Sequence, residues 1–511
     1  MHRCLGVLDV LQNIFSLVFQ SPTHGSMDLA QLAVTCQLFR APALDILWRT
    51  LPNLAPLIRC IPDDAWSLVG NYLSLRRTVA DSEWARCNIY APLVRRLGYA
   101  SHPTSCTGDI ILDPKIFEIL SVKPIISFSN LQELRWRADR TTMPWIHTLL
   151  GPQLFNLDLD LPAEDPNFFI PVLINSLKRT VPCLQQLRLS QSSTSRTDLS
   201  RIFSSLFSDL NRLEVISCGD FVFPDDAIRS LVVSPTLRVL CTKNDAADFL
   251  WCLPGIGLSF PQLQHLSMQT KRLQDCSALL RRIETRQLKC LDVISTYQPS
   301  AARVHGFFQT LEERCSHSLL SIIKLQQLEP EPPIGISWAT DEFITPTTTK
   351  PLLSFQNLEE LSITVSCPVD FDDSGIESMA VAWPKMTIFQ LGNSKGWGRR
   401  ARTTLDIYIS VAKHWPRLKY LSICFTCHTE AAIYQRPGNG HCCPRVTVLN
   451  GTSSAEDMHS GLLASFLSDI FPNLELIRSG YVDETWLRVE ELLRTVHAVR
   501  AQERSWGSRS P

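Results

Sequence analysis

The stretch FPQLQHLSMQTKRLQDCSALLRRIE (260–284) holds one full period of this chain. It opens at a proline-marked corner, FPQL, passes through the apolar-x-x-apolar-x-apolar phrase LQHLSM (263–268), and ends in LQDCSALLRRIE (273–284) with apolar residues at helical spacing. Within the phrase, Leu266, Ser267 and Met268 alternate with a period of two, the mark of a strand with one face buried and the other wet. Proline cannot continue a helix, so the corner ends whatever precedes it. The order is corner, strand, helix.

The phrase returns throughout the sequence. Thirteen copies, from LQELRW (131–136) through LQQLRL (184–189), LKCLDV (288–293) and LEELSI (358–363) to LELIRS (474–479), lie 23 to 38 residues apart, and VRRLGY (94–99) offers a fourteenth. The fourth position is always apolar, as in Leu134, Leu187, Leu291 and Ile477, while the fifth is polar in every copy but that of Cys241. Helical spacing recurs between strands at 165–181, 196–210 and 403–415, and the corner recurs as WPKM (383–386), WPRL (415–418) and FPNL (471–474). Ser374 with Glu377 reads as a capping box, and Asp225 and Asp483 stand where a helix start would accept hydrogen bonds. Strand then helix every 28 or so residues resembles the leucine-rich repeat, whose units stack into a solenoid with strands on one side. The resemblance implies an α/β fold over 93–480. The proline- and threonine-rich segment at 329–351 is expected to loop out of it.

Composition excludes several classes of function. Lys and Arg number 49 against 50 Asp and Glu, which gives no electrostatic reason to expect nucleic acid or an acidic membrane surface. Seventeen cysteines without framework spacing, in a chain long enough to need no staples, read as reduced thiols and point to the cytoplasm or nucleus. The opening LGVLDVLQNIFSLVF is interrupted by Asp9, Gln12 and Asn13, so neither a signal peptide nor a membrane span is expected.

That opening carries two apolar stripes where a surface helix has one: Leu8, Leu11, Phe15 and Val18 along one, Val7, Val10, Ile14 and Leu17 along the other. A second helix follows with Leu29, Leu32, Ala33 and Cys36, and Pro42 is expected to open a third carrying Leu44, Leu47 and Trp48. Three short helices cannot hide this much apolar surface among themselves. DVLQNIF, then LAQLAVTCQLF, then LDILW resembles an F-box, and the F-box followed by leucine-rich units resembles the F-box proteins abundant in mushroom-forming fungi. The resemblance implies a small all-α F-box at 1–51 that docks on a Skp-type adaptor and through it on a cullin, while the repeats hold a protein to be ubiquitinated. Matched by position, Val10, Leu11, Ile14, Phe15, Leu29, Leu32, Leu47 and Trp48 would bind the adaptor. The family's opening Leu-Pro is replaced by Gly6-Val7. Residues 52–92 are expected to be a helical connector, and 481–511 a capping helix and tail.

Catalytic motifs are not found: the sequence has no G-x-S-x-G, no G-x-x-x-x-G-K-[ST] and no H-E-x-x-H. Cys424, Cys427, His441, Cys442 and Cys443 could ligate zinc, but adjacent Cys442 and Cys443 suit a single ion poorly, so no metal or cofactor is assigned. The expected role is a non-catalytic substrate-recognition subunit of a Skp–cullin–F-box ubiquitin ligase. Its target would lie on the outward strand row with Arg135, Arg137, Asp158, Asp160, Arg188, Lys243, Asp292 and Lys324. The alternative is a leucine-rich protein-binding scaffold with a degenerate F-box and no ligase association.

Overall fold

The computed structural model describes residues 6–21, 24–98, 110–122, 126–161, 166–191, 206–207, 210–253, 257–284, 287–328, 342–392, 397, 401–426, 438–450, 459–478 and 484–507. The chain divides into two compact units, 1–230 and 231–511. No described helix is long and apolar enough to cross a membrane, and no disulfide joins the described cysteines.

The first unit begins with helices α1 (Leu8–Phe19), α2 (Gly25–Thr35) and α3 (Gln37–Trp48). Strands β1 (Thr50–Leu51), β2 (Trp66–Val69), β3 (Tyr72–Leu75), β4 (Arg96–Leu97), β5 (Ile111–Leu112), β6 (Glu133–Arg137), β7 (Asn156–Leu161), β8 (Gln186–Gln191) and β9 (Val215–Cys218) follow. Of these, β1, β4, β6, β7, β8 and β9 pair in that order, all parallel, so each connection must cross back over the sheet, and helices such as Met143–Leu149 and Pro166–Thr180 do so. The repeat phrase sets the register. Leu51, Leu97, Leu134, Leu157, Leu187 and Ile216 stand directly opposite one another in successive strands, and all are buried.

The second unit continues the plan with β10 (Val239–Asp245), β11 (His265–Thr270), β12 (Cys290–Ser295), β13 (Ile322–Gln327), β14 (Glu360–Thr364), β15 (Ile388–Leu391), β16 (Tyr420–Ser422), β17 (Val448–Asn450) and β18 (Leu476–Arg478). The fourth positions again form one buried ladder from Leu240 through Leu291 and Leu361 to Ile477. The corners are built alike. In each, the aromatic residue before the proline (Phe260, Trp383, Trp415, Phe471) is buried, and its carbonyl accepts the amide three residues on at 3.0–3.3 Å. The fold is α/β, a stack of strand–helix repeats of the leucine-rich kind in each unit.

Several expectations are corrected. The segment 52–92 is not simply helical: between the short helices Ala55–Ile58 and Asp81–Trp84, β2 and β3 form an antiparallel hairpin. WSLV and YLSL flank Gly70-Asn71, and Gly70, at φ +63°, supplies the left-handed turn that a two-residue hairpin loop demands. Pro42 lies inside α3 rather than at its start; the helix begins at Gln37 and the proline ring is buried. Ser374 is not the cap of its helix: Asp372 is, accepting from the Gly375 amide at 3.0 Å. Asp225 opens the helix Asp225–Val232, whereas Asp483 lies outside the described residues. The loop expected at 329–351 is described from 342, and there Thr345 caps a helical turn, Pro346–Thr349, that packs Thr348 and Thr349 inside. Most of the helix expected at 196–210 lies outside the described residues.

Candidate functional site

The two stripes of α1 part company. Leu11 and Phe15 turn inward and, with Leu29, Ala33, Ala43 and Ile46, form the core of the three helices, where Phe15 meets Phe39 edge to face at 5.4 Å. Leu32, Leu44 and Leu47 pack against that core from its margin. Each such fully buried large side chain is worth about 1.5–3 kcal/mol, so this stripe is what holds the helices together. The other stripe faces out: Val7, Ile14 and Leu17 are exposed, Leu17 to 69 %, with Val10 half-buried beside them. On α2, Met27 and Val34, two turns apart, are 61 % and 86 % exposed, and Leu38 on α3 is exposed as well.

Placement therefore corrects part of the expected adaptor contact. Leu11, Phe15 and Leu29 are interior and can touch no partner without unfolding the helices. Trp48 stacks on Tyr90 with ring centroids 4.4 Å apart, so its indole ties α3 to the chain behind it. Ile14 and, in part, Val10 remain available. Met27, Val34 and Leu38 were not singled out from the sequence, although the helical spacing of Met27 and Val34 puts them on one face.

A second feature lies on the strand side of the same unit. A groove of about 860 Å³ is lined by Asn53, Gly98, Ile111, Phe117, Arg135, Arg137, Asp158, Asp160 and others, so four of the expected target-face residues come together. Arg135 Nε lies 3.5 Å from Asp158 Oδ2, and Arg137 Nε 3.6 Å from Asp160 Oδ2. Asp160 also accepts from Ser190 Oγ at 3.4 Å. Arg188 stands in register with Asp158 and donates to Gln186 Oε1 at 3.2 Å. At the groove's end Asp139 turns back on its own loop. Burial would raise its pKa, but hydrogen bonds from the Thr141 and Thr142 hydroxyls and amides outweigh that and hold it below the usual value.

Lys243, Asp292 and Lys324 belong to the second unit. Lys243 is exposed on β10. Asp292 and Lys324 face each other in register, Ser267 Oγ donates to Asp292 at 3.2 Å, and Lys324 Nζ reaches Glu360 Oε1 at 2.8 Å. Burial pushes the Asp292 carboxyl up and the His265 imidazole down. Burial also works against the Lys324 ammonium, but Glu360 outweighs it and holds that pKa above its ordinary value.

Of the cysteine and histidine cluster, Cys424 and Cys443 are buried and His441 is exposed, while Cys427 lies outside the described residues. Burial pushes the Cys443 thiol up to about 12, and it donates to the Trp415 carbonyl at 3.5 Å; that is a protonated packing thiol, not a poised thiolate ligand. Among the described residues no group of three potential ligands converges on a metal position.

No family model matches the chain, and no curated protein matches it either. Among solved structures it is similar to a chain of the Rad7 and Elc1 complex in yeast, with 17 % identity and a TM-score of 0.42 over 71 % of this chain and 87 % of that one. The leucine-rich repeat-containing protein LegL7 from Legionella pneumophila is similar at 12 % identity and a TM-score of 0.29, over 56 % of this chain and 86 % of that one. The tropomodulin C-terminal domain of Caenorhabditis elegans follows at 10 % identity and a TM-score of 0.19, over 46 % of this chain and 98 % of that one. Likenesses this distant carry no argument about what the chain binds.

Proposed function

We propose that this chain is a substrate-recognition subunit of a Skp–cullin–F-box ubiquitin ligase, working in the cytoplasm or nucleus. Its three N-terminal helices dock on a Skp-type adaptor and its strand face holds a target protein. The observation that carries the reading is that the three helices leave large apolar side chains in water: Val7, Ile14 and Leu17 on α1, Met27 and Val34 on α2, and Leu38 on α3. Large apolar side chains left in water are ready anchors for a partner, and here they lie on the helices whose sequence resembles an F-box. The chain contributes positioning, and the transfer chemistry belongs to the enzyme the complex recruits.

Co-purification of the full chain with a Skp-type adaptor tests this. The wild-type chain is expected to carry the adaptor through size exclusion, and Ile14→Glu with Leu17→Glu to lose it while keeping the wild-type melting temperature, because both positions are exposed. Equal adaptor recovery with that double variant would remove the assignment and leave a protein-binding scaffold.

A further inference from the structure

The groove over β4, β6 and β7 says more about its occupant than that it is a protein. The two Arg–Asp pairs are not level with each other's solvent. Arg135 and Arg137 side chains are 64 % and 85 % exposed, whereas Asp158 and Asp160 beneath them are 27 % and 34 % exposed. The anions are recessed and the cations stand proud. In each pair Nε is the guanidinium nitrogen that lies against the aspartate, and a guanidinium carries donors and no acceptor, so whatever hydrogen-bonding capacity the proud side chain has left is donor capacity. Asp139, the third carboxylate of the lining, is occupied by Thr141 and Thr142.

Spacing narrows the chemistry. Arg135 and Arg137 are alternate residues of one strand, so their stems rise roughly 6.6 Å apart, and each head lies beside a different aspartate, Asp158 at 3.5 Å and Asp160 at 3.6 Å. Beside Arg135 the floor is bare: Gly98, at φ +85°, has no side chain, and a Cβ there would sit 1.6 Å from the Arg135 carbonyl oxygen. The facing wall is apolar. Ile111 is exposed in the groove and stands in one row with Tyr72 and Val69 across the small sheet of β2, β3 and β5, all three in water.

From this geometry we propose that the groove takes an extended acidic segment of the target protein, with carboxylates two residues apart on Arg135 and Arg137 and an adjacent apolar side chain against Ile111. An extended strand puts alternate side chains on one face at the same interval as the arginines. The inference deepens the target-holding role proposed above and rests on it, yet the two can fail separately, since one is read by peptide and the other by adaptor.

Fluorescence anisotropy with the full chain tests it, using a short labelled peptide alternating valine and glutamate, and counterparts with lysine, glutamine or phosphoserine in place of glutamate. The glutamate peptide is expected to bind with an affinity that falls as salt rises. Lysine and glutamine peptides should not bind. R135E/R137E should weaken the glutamate peptide by about tenfold or more while adaptor capture is unchanged. D158N/D160N should tighten it, because the recessed carboxylates no longer compete for the guanidinium groups; a merely misfolded variant cannot give that result. Binding of the lysine peptide as tight as that of the glutamate peptide, unchanged binding by R135E/R137E, or binding of the phosphoserine peptide alone would each overturn the proposal.

Discussion

At the scale of single residues, position in the fold matters more than residue type. Gly98 lies where the chain leaves β4 with positive φ and its missing Cβ against the backbone of β6. Gly98→Ala should therefore cost at least about 2 kcal/mol in denaturant unfolding, because backbone cannot move aside as a side chain can. Asp292 makes the opposite prediction. Burial raises its folded-state pKa above the unfolded value, so ionisation opposes folding; the penalty is absent below the unfolded value of about 3.9 and complete above the raised one. Asp292→Asn should then raise the denaturation midpoint at neutral pH, with the advantage vanishing as the pH falls below about 3.9. Neither role was legible in the sequence. A glycine shows its φ only in a backbone, and an aspartate at the fifth position of a strand phrase reads as an ordinary wet residue until its neighbours are placed.

At the scale of elements, the sequence is legible to the extent that its periodicity is decisive. Period two located the strands, and the fourth-position leucines stand opposite one another strand after strand. On α1 the periodicity drew two apolar stripes but not which of them faces in, because that depends on where α2 and α3 pack. Hence Leu11 and Phe15, matched to an adaptor by position, serve the internal core, while Ile14 and Leu17 face water. The hairpin of β2 and β3 differs from the helical connector expected at 52–92: WSLV and YLSL are too short and too irregular in alternation to mark strands by period two, and only Gly70-Asn71 between them is a turn signal. The corners were read as helix stops only. Their buried aromatic residues are structural anchors: Trp415 contacts Phe389 with ring centroids 4.8 Å apart. Trp415→Ala should destabilise by about 3–5 kcal/mol, read from its urea midpoint.

At the scale of the whole molecule, the repeats pass their register along through nearest neighbours. In such an array a local defect is felt first by the adjacent units. Leu291→Ala in β12 should cost about 2–5 kcal/mol, and hydrogen exchange should accelerate most in β11 and β13, whose Leu266 and Ile323 flank it in register. Uniform acceleration across all strands would contradict that picture. The stacking itself was readable, since one phrase repeated thirteen times implies repeated geometry. The proposed partners, by contrast, come from the F-box resemblance and not from the periodicity, because a surface acquires meaning from which side chains a fold leaves uncovered.

Hydroxyl-radical footprinting of the full chain, alone and with a Skp-type adaptor, tests the central claim directly. Leu17, Met27 and Val34 are expected to oxidise in the isolated chain and to be protected when the adaptor is added, while Leu11 and Phe15 stay unmodified in both. Oxidation of Met27 and Leu17 that continues unchanged at saturating adaptor would contradict it.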